Sequence, residues 1–128
     1  MTTRARYLLD THVVLWWLAD DPTLADDLKA MIDEEREVYV SAVTGWEVAI
    51  KQRIGKLTSP VDLAGEIRDS DLHQLPVTFE HVVEVGRLPS HHRDPFDRML
   101  VAQARAERLK LVTRETAIHG YDVPVLKA

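Results

Sequence analysis

Four acidic residues, Asp10, Glu47, Asp97 and Glu115, stand where a carboxylate is a poor choice for folding. Asp10 ends the apolar run Tyr7-Leu8-Leu9, and Glu47 lies between Trp46 and Val48 in a helical pattern. Asp97 follows Phe96, one turn before Met99-Leu100-Val101, and Glu115 follows Leu111-Val112-Thr113-Arg114. A carboxylate at an apolar strand or helix terminus is costly unless it is paired, protonated or bound to a cation. Four that converged would repel one another and call for a divalent metal, and oxygen-only ligands suit Mg2+ or Mn2+. Each acid also has a structural reading. Asp10 is a plausible helix cap, Glu47 a partner for Lys51 or Arg53, Asp97 part of a capping box with Asp94, and Glu115 a first-turn acid. The chemical reading rests on all four recurring at strand ends or on helices that face them.

Other chemistries lack their residues. His12, His91 and His92 lie near the acids in sequence, but no H-x-x-x-H spacing supports zinc. Neither a phosphate-binding G-x-x-x-x-G-K-[ST] loop nor a G-x-G-x-x-G fingerprint is present, and Ser41 has no nucleophile-elbow context. The absence of cysteine excludes disulfides and thiolate metal sites. At 128 residues the chain reads as one domain, residues 1–128. No apolar run approaches the roughly 18 residues a membrane span needs, so a cytoplasmic, non-membrane protein is expected. The net charge of -5 is not that of a generic nucleic-acid binder. It is unevenly spread, however. Residues 19–37 hold eight acids against Lys29 and Arg36, while residues 87–114 hold seven bases against Asp94, Asp97 and Glu107. The first stretch reads as a solvated helix face. The second reads as the border of a site for a polyanion.

The elements that must position these acids alternate along the chain. Strands are expected at residues 6–9, 38–40, 75–77 and 111–112, with a last extended segment at 123–126. Helices are expected from Val13 to Leu18, from a Thr23 cap to about Glu35, and from Ser41 to about Gly55 with Val43, Trp46, Ile50 and Ile54 as the apolar stripe. Ser59-Pro60 stops the chain, and further helices follow over 61–71, from Thr78 to about Arg87, and from Asp94-Pro95 to about Arg108. Pro95 suits the first helical position. Pro89 to Arg93 reads as a loop, and Glu115 to His119 as a helical turn. Trp16 and Trp17 are adjacent on one helix and cannot share a face, so one is expected in the core and the other at a subunit contact. The alternation argues for a parallel sheet covered on both faces, with sites outside the carboxyl ends of its strands. Asp10 and Glu115 fall at such ends.

Four motifs then come together. Leu8-Leu9-Asp10-Thr11-His12, Ser41 followed by Trp46-Glu47, His92-Arg93-Asp94-Pro95-Phe96-Asp97-Arg98, and Val112-Thr113-Arg114-Glu115 resemble PIN-domain proteins. More narrowly, they resemble the VapC toxins of bacterial toxin–antitoxin pairs. The motifs span residues 8 to 115 in the family's order, and Asp94-Pro95-Phe96-Asp97-Arg98 is the most specific. The resemblance implies a three-layer α/β/α sandwich around a mainly parallel sheet. It also implies an endoribonuclease that depends on Mg2+ or Mn2+, hydrolyses RNA phosphodiester bonds by metal-activated water, and is inhibited by a cognate VapB-type antitoxin. It maps the catalytic and metal-holding acids onto Asp10, Glu47, Asp97 and Glu115, with Thr113 as a supporting hydroxyl and a homodimer as the assembly. Glu115 departs from the family's usual Thr-Arg-Asp by one methylene. Lys51, Arg98 and Arg114 are the candidates to hold RNA phosphates, because cations, and arginine in bidentate form, pair with phosphate. The rival readings are a degenerate PIN domain that binds RNA or protein without catalysis, and a receiver-like regulator. The latter would want adjacent acids after the first strand and a late lysine, where this chain has Thr11 and Arg114.

Overall fold

The computed structural model describes residues 5–57, 62–90 and 94–128. Five strands form one sheet: β1 (Tyr7–Leu9), β2 (Val38–Ser41), β3 (His73–Leu75), β4 (Lys110–Thr113) and β5 (Val125–Lys127). Six α-helices connect the first four: α1 (Thr11–Leu18), α2 (Asp26–Glu34), α3 (Ala42–Arg53), α4 (Leu63–Asp69), α5 (Phe79–Arg87) and α6 (Pro95–Glu107). A 3-10 turn, Thr116–Gly120, joins β4 to β5. The strand order is β3-β2-β1-β4-β5, and every pairing is parallel, Leu9 for instance lying opposite Val40 on one side and Val112 on the other. The sheet is thus wholly parallel among the described residues.

Both faces are covered, and the side-chain alternation of the central strands shows how. Leu8 and Leu111 pack on one face with Leu100, Val101 and Ala104 of α6 and with Leu88. Leu9, Val40 and Val112 pack on the other with Val13 and Val14 of α1, Leu28 and Ile32 of α2, and Ile67 of α4. Leu8, Leu9, Leu111 and Val112 are wholly buried. Each contributes roughly 1.5–3 kcal/mol of apolar burial, which holds β1 and β4 as the fixed centre of three layers. This is the expected α/β/α sandwich.

The helix starts are local chemistry. Asp10, Ser41, Asp62, Thr78 and Asp94 cap α1, α3, α4, α5 and α6 through their side-chain oxygens. Arg108, expected as the last helical residue, instead closes α6 in the left-handed conformation at φ 57°. Thr23 does not cap α2 as expected. The Asp21 carboxylate takes both its backbone N–H at 2.8 Å and its hydroxyl at 2.6 Å, a side-chain turn that defers the helix to Asp26. The third strand also lies earlier than expected, at His73–Leu75, with Pro76 and Val77 leaving the sheet.

The expected apolar stripe of α3 is corrected by the structure. Its buried face is Val43, Thr44, Glu47 and Val48, whereas Trp46 and Ile54 face solvent. Trp16 and Trp17 are both half-buried against the core, so neither is the exposed contact residue expected. Trp17 donates its indole N–H to Asp33 at 2.9 Å, and Trp16 stacks beneath Arg114 at 4.6 Å. The expected stop at Ser59-Pro60, and His91, His92 and Arg93, lie outside the described residues.

Candidate active site

In the order β3-β2-β1-β4-β5 the chain leaves β1 toward β2 and later crosses back to place β4 on the other side of β1. Such a switch opens a crevice beyond the carboxyl ends of the two strands. Asp10 sits there, one residue past β1, and Thr113 ends β4. Asp10 is buried. Its Oδ1 accepts the Val13 N–H at 2.9 Å, which caps α1, and its Oδ2 accepts the Thr113 hydroxyl at 2.5 Å. Thr113 Oγ1 in turn accepts the backbone N–H of Glu115 at 3.0 Å. One hydroxyl therefore sets both the Asp10 carboxylate and the backbone that carries Glu115.

Glu47 approaches from α3 and is also buried. Its Oε1 accepts the Thr11 hydroxyl at 2.7 Å, and its Oε2 pairs with Lys51, one turn further along the helix, at 2.8 Å. Thr11 and Thr44 meet at 3.2 Å behind it. Burial pushes the Asp10 carboxyl above its ordinary range, and the nearby Glu47 charge pushes the same way; hydrogen bonds from Thr113 and Val13 and the positive charge of His12 oppose them. A buried carboxylate whose ionisation is disfavoured by burial and by a neighbouring carboxylate forms a site that a cation would relieve.

Asp97 lies half-buried in the first turn of α6, where the helix amino terminus favours a negative charge. Helix α6 is placed beside α3 by an edge-to-face contact of Trp46 and Phe96, the residues immediately before Glu47 and Asp97, at 5.1 Å. Glu115 is exposed and caps the 3-10 turn by accepting from Ala117 N–H at 3.3 Å. It shares with Asp10, His12, Trp16, Arg114 and Thr116 a cleft of about 260 Å3. Asp10 is thus joined to Glu47 electrostatically and to Glu115 through the cleft. Among the described residues, no three acidic or histidine groups are already gathered around one point. The donors are nevertheless all oxygen, two of them buried, which is the set that hard divalent cations take.

The three candidate phosphate-binding cations are all engaged. Lys51 holds Glu47. Arg114 is fixed by the carbonyls of Ala128 at 2.9 Å and Thr23 at 2.7 Å and borders the Asp10 cleft. Arg98 is a strut. It donates to the Pro89 carbonyl at 2.8 Å and the Tyr121 hydroxyl at 3.1 Å, with longer bonds to Val85 and Leu88, and so ties the end of α5 to α6. Thr11 and Thr44 were not among the expected site residues. The signal for them is spacing, because Thr44 and Glu47 are three apart on one helix face and Thr11 follows the first acid directly.

This arrangement has known counterparts. The sequence matches the PIN domain family over residues 7–123. It is 29% identical, over 91% of the chain and 92% of the relative, to Ribonuclease VapC22 of Mycobacterium tuberculosis. The fold is similar to that in the crystal structure of VapBC2 from Rickettsia felis bound to a DNA fragment from their promoter, with TM-score 0.73, 15% identity, and coverage of 94% of this chain and 97% of that one. It is also similar to a toxin–antitoxin complex from Klebsiella pneumoniae, with TM-score 0.65, 18% identity, and coverage of 94% and 95%. A parallel sheet in this strand order, with buried acids beyond its central strand and a family match over nearly its whole length, makes this chain a member of the PIN-domain family.

Proposed function

We propose that this protein is the toxin of a toxin–antitoxin pair, a VapC-type endoribonuclease that depends on Mg2+ or Mn2+. The observation that carries the reading is the buried pair Asp10 and Glu47 at the sheet's switch point. The 29% identity to a protein named as a ribonuclease supports the reaction class. Asp10, Glu47, Asp97 and Glu115 would hold the cation. When bound, it would supply Lewis acidity, neutralising charge on phosphoryl oxygens and making a nucleophilic water available near neutral pH. The chain's own part is positional. Thr113 orients Asp10 and the Glu115 backbone, Thr11 orients Glu47, and Lys51 and Arg114 flank the acids where a phosphate backbone would run. Arg98 is left out of this set, because its guanidinium serves the α5–α6 junction.

The test is incubation of the purified protein, freed of antitoxin, with total bacterial RNA in Mg2+, in Mn2+ and in chelator. Discrete fragments that appear only with metal are expected, and sequencing their ends would name the substrate. A folded protein that cleaves nothing with either metal would favour the degenerate, non-catalytic PIN domain instead.

The partners follow the same reading: a VapB-type antitoxin, in keeping with the toxin–antitoxin complexes of similar fold, and a second copy of the chain. For the second copy the favoured surface is not the Trp16–Trp17 helix. Phe79 is 89% exposed and Trp46 61%, and Val77, Val82, Val83 and Ile54 are exposed as well. Trp46 and Val77 line one groove with Val43, Val85, Phe96, Met99 and Arg98, where α3, α5 and α6 meet. A largely apolar groove with exposed apolar side chains suits a two-fold contact. Val83→Asp should convert the dimer to a monomer in light scattering at micromolar concentration. A variant that stays dimeric would move the interface elsewhere.

A further inference from the structure

The two oxygens of Glu47 are held in unlike ways. Thr44 is wholly buried and Thr11 nearly so. A carboxylate paired with lysine only accepts, so the Thr11 hydroxyl donates its one hydrogen to Oε1. At its contact with Thr44, Thr11 must then accept, and Thr44 donates. The direction is fixed from Thr44 to Thr11 to Glu47, and such chains strengthen each member. Oε2, by contrast, pairs with the tip of Lys51, whose side chain is 32% exposed, as its ion-pair partner among the described residues.

We infer that the Thr44–Thr11 hydroxyl relay is a positioning device that anchors Oε1, and that Oε2 is the exchangeable oxygen, passed from Lys51 to a divalent cation when one binds. Lys51 is then a resident counter-ion. It keeps the metal-free protein from burying a bare carboxylate, and it competes with the metal for one ligand atom. The inference rests on the metal-dependent reading above, and it concerns binding rather than turnover. Lys51 and a cation share a single oxygen, so removing the lysine should help the metal and harm the metal-free fold. Removing the relay should harm the metal because Oε1 loses its orientation.

The experiment is Mn2+ titration followed by electron paramagnetic resonance and calorimetry, with melting temperatures in chelator, on the wild type, Thr11→Val, Thr11→Ser, Thr44→Val and Lys51→Gln. Thr11→Val should weaken Mn2+ about tenfold or more, as loss of an orienting partner does. Thr44→Val should weaken it by less, and Thr11→Ser should restore it. Lys51→Gln should tighten Mn2+ binding while lowering the melting temperature in chelator. Wild-type affinity in a folded Thr11→Val would overturn the relay, and unchanged affinity in Lys51→Gln would overturn the exchange. A wild type that takes up no Mn2+ would overturn the metal-dependent reading itself.

Discussion

Asp97→Asn should reduce metal-dependent RNA cleavage by about a thousandfold or more, the scale on which an enzyme loses rate when one charge-stabilising group is removed. Asparagine keeps the shape of the side chain at the head of α6 and removes only its charge, so the far-ultraviolet dichroism and the melting temperature in chelator should stay close to wild type. Full cleavage by the variant would sink the assignment of Asp97. Asp10→Asn should lose cleavage to a similar degree but differ in stability. Burial raises the Asp10 carboxyl above its ordinary value of 3.8. The folded state therefore binds this proton more tightly than the unfolded chain. The ionised form subtracts stability above the folded value, and the penalty fades as pH falls through it. In chelator at pH 7 the asparagine variant should melt a few degrees above wild type, and the gap should close toward pH 4. A variant that melts well below wild type at pH 7 would mean that Asp10 is chiefly structural, as a cap and a partner of Thr113.

The second large effect lies far from the acids and concerns stability alone. His81 is wholly buried between α5 and α6. Its Nδ1 faces the Thr78 backbone N–H at 3.1 Å and the Gln103 amide nitrogen at 3.3 Å. A backbone N–H only donates, so Nδ1 accepts, and the hydrogen sits on Nε2, which donates to Glu107 at 2.9 Å. Thr78 completes a reciprocal capping box with the same histidine. His81→Ala empties a fully buried site and removes the partner of two donors and a carboxylate, so a loss of about 3 kcal/mol is expected in urea unfolding. A loss below about 1 kcal/mol would show that water or rearranged side chains replace the imidazole.

The sequence carried most of the scaffold because its signals are local. Apolar runs of strand length, cap residues such as Ser41 and Asp94, and Pro95 at the first helical position each act within a few residues. The placement of Asp10 past β1 and of Glu47 on a buried helix face was legible for the same reason. The errors came where tertiary contacts override periodicity. Helix α3 has apolar residues on two faces, and keeping Trp46 out of the core required knowing that the Thr44–Glu47 face lies against α1, which a buried hydroxyl relay makes possible. Thr23 looked like a cap until Asp21 competed for it. The His81 network escaped notice because its members come from Thr78, Gln103 and Glu107, and histidine is an unusual third residue for a capping box. The role of Arg98 was hidden likewise, since nothing near it in sequence announces the Tyr121 hydroxyl or the carbonyls it binds.

The hydrogen bond between Thr113 and Asp10 joins residues 103 positions apart. The strand that leads into Asp10 pairs with a strand made long after it, and its neighbour β2 supplies only one wall. Domains fold as units, and non-local pairings close late. A ribosome-bound chain that has emerged only through α5 therefore has Asp10 and Glu47 but lacks Asp97, Thr113 and Glu115 altogether. A site built this way is incomplete while the chain is being made. The interval before it is complete is set by the position of β4 in the chain.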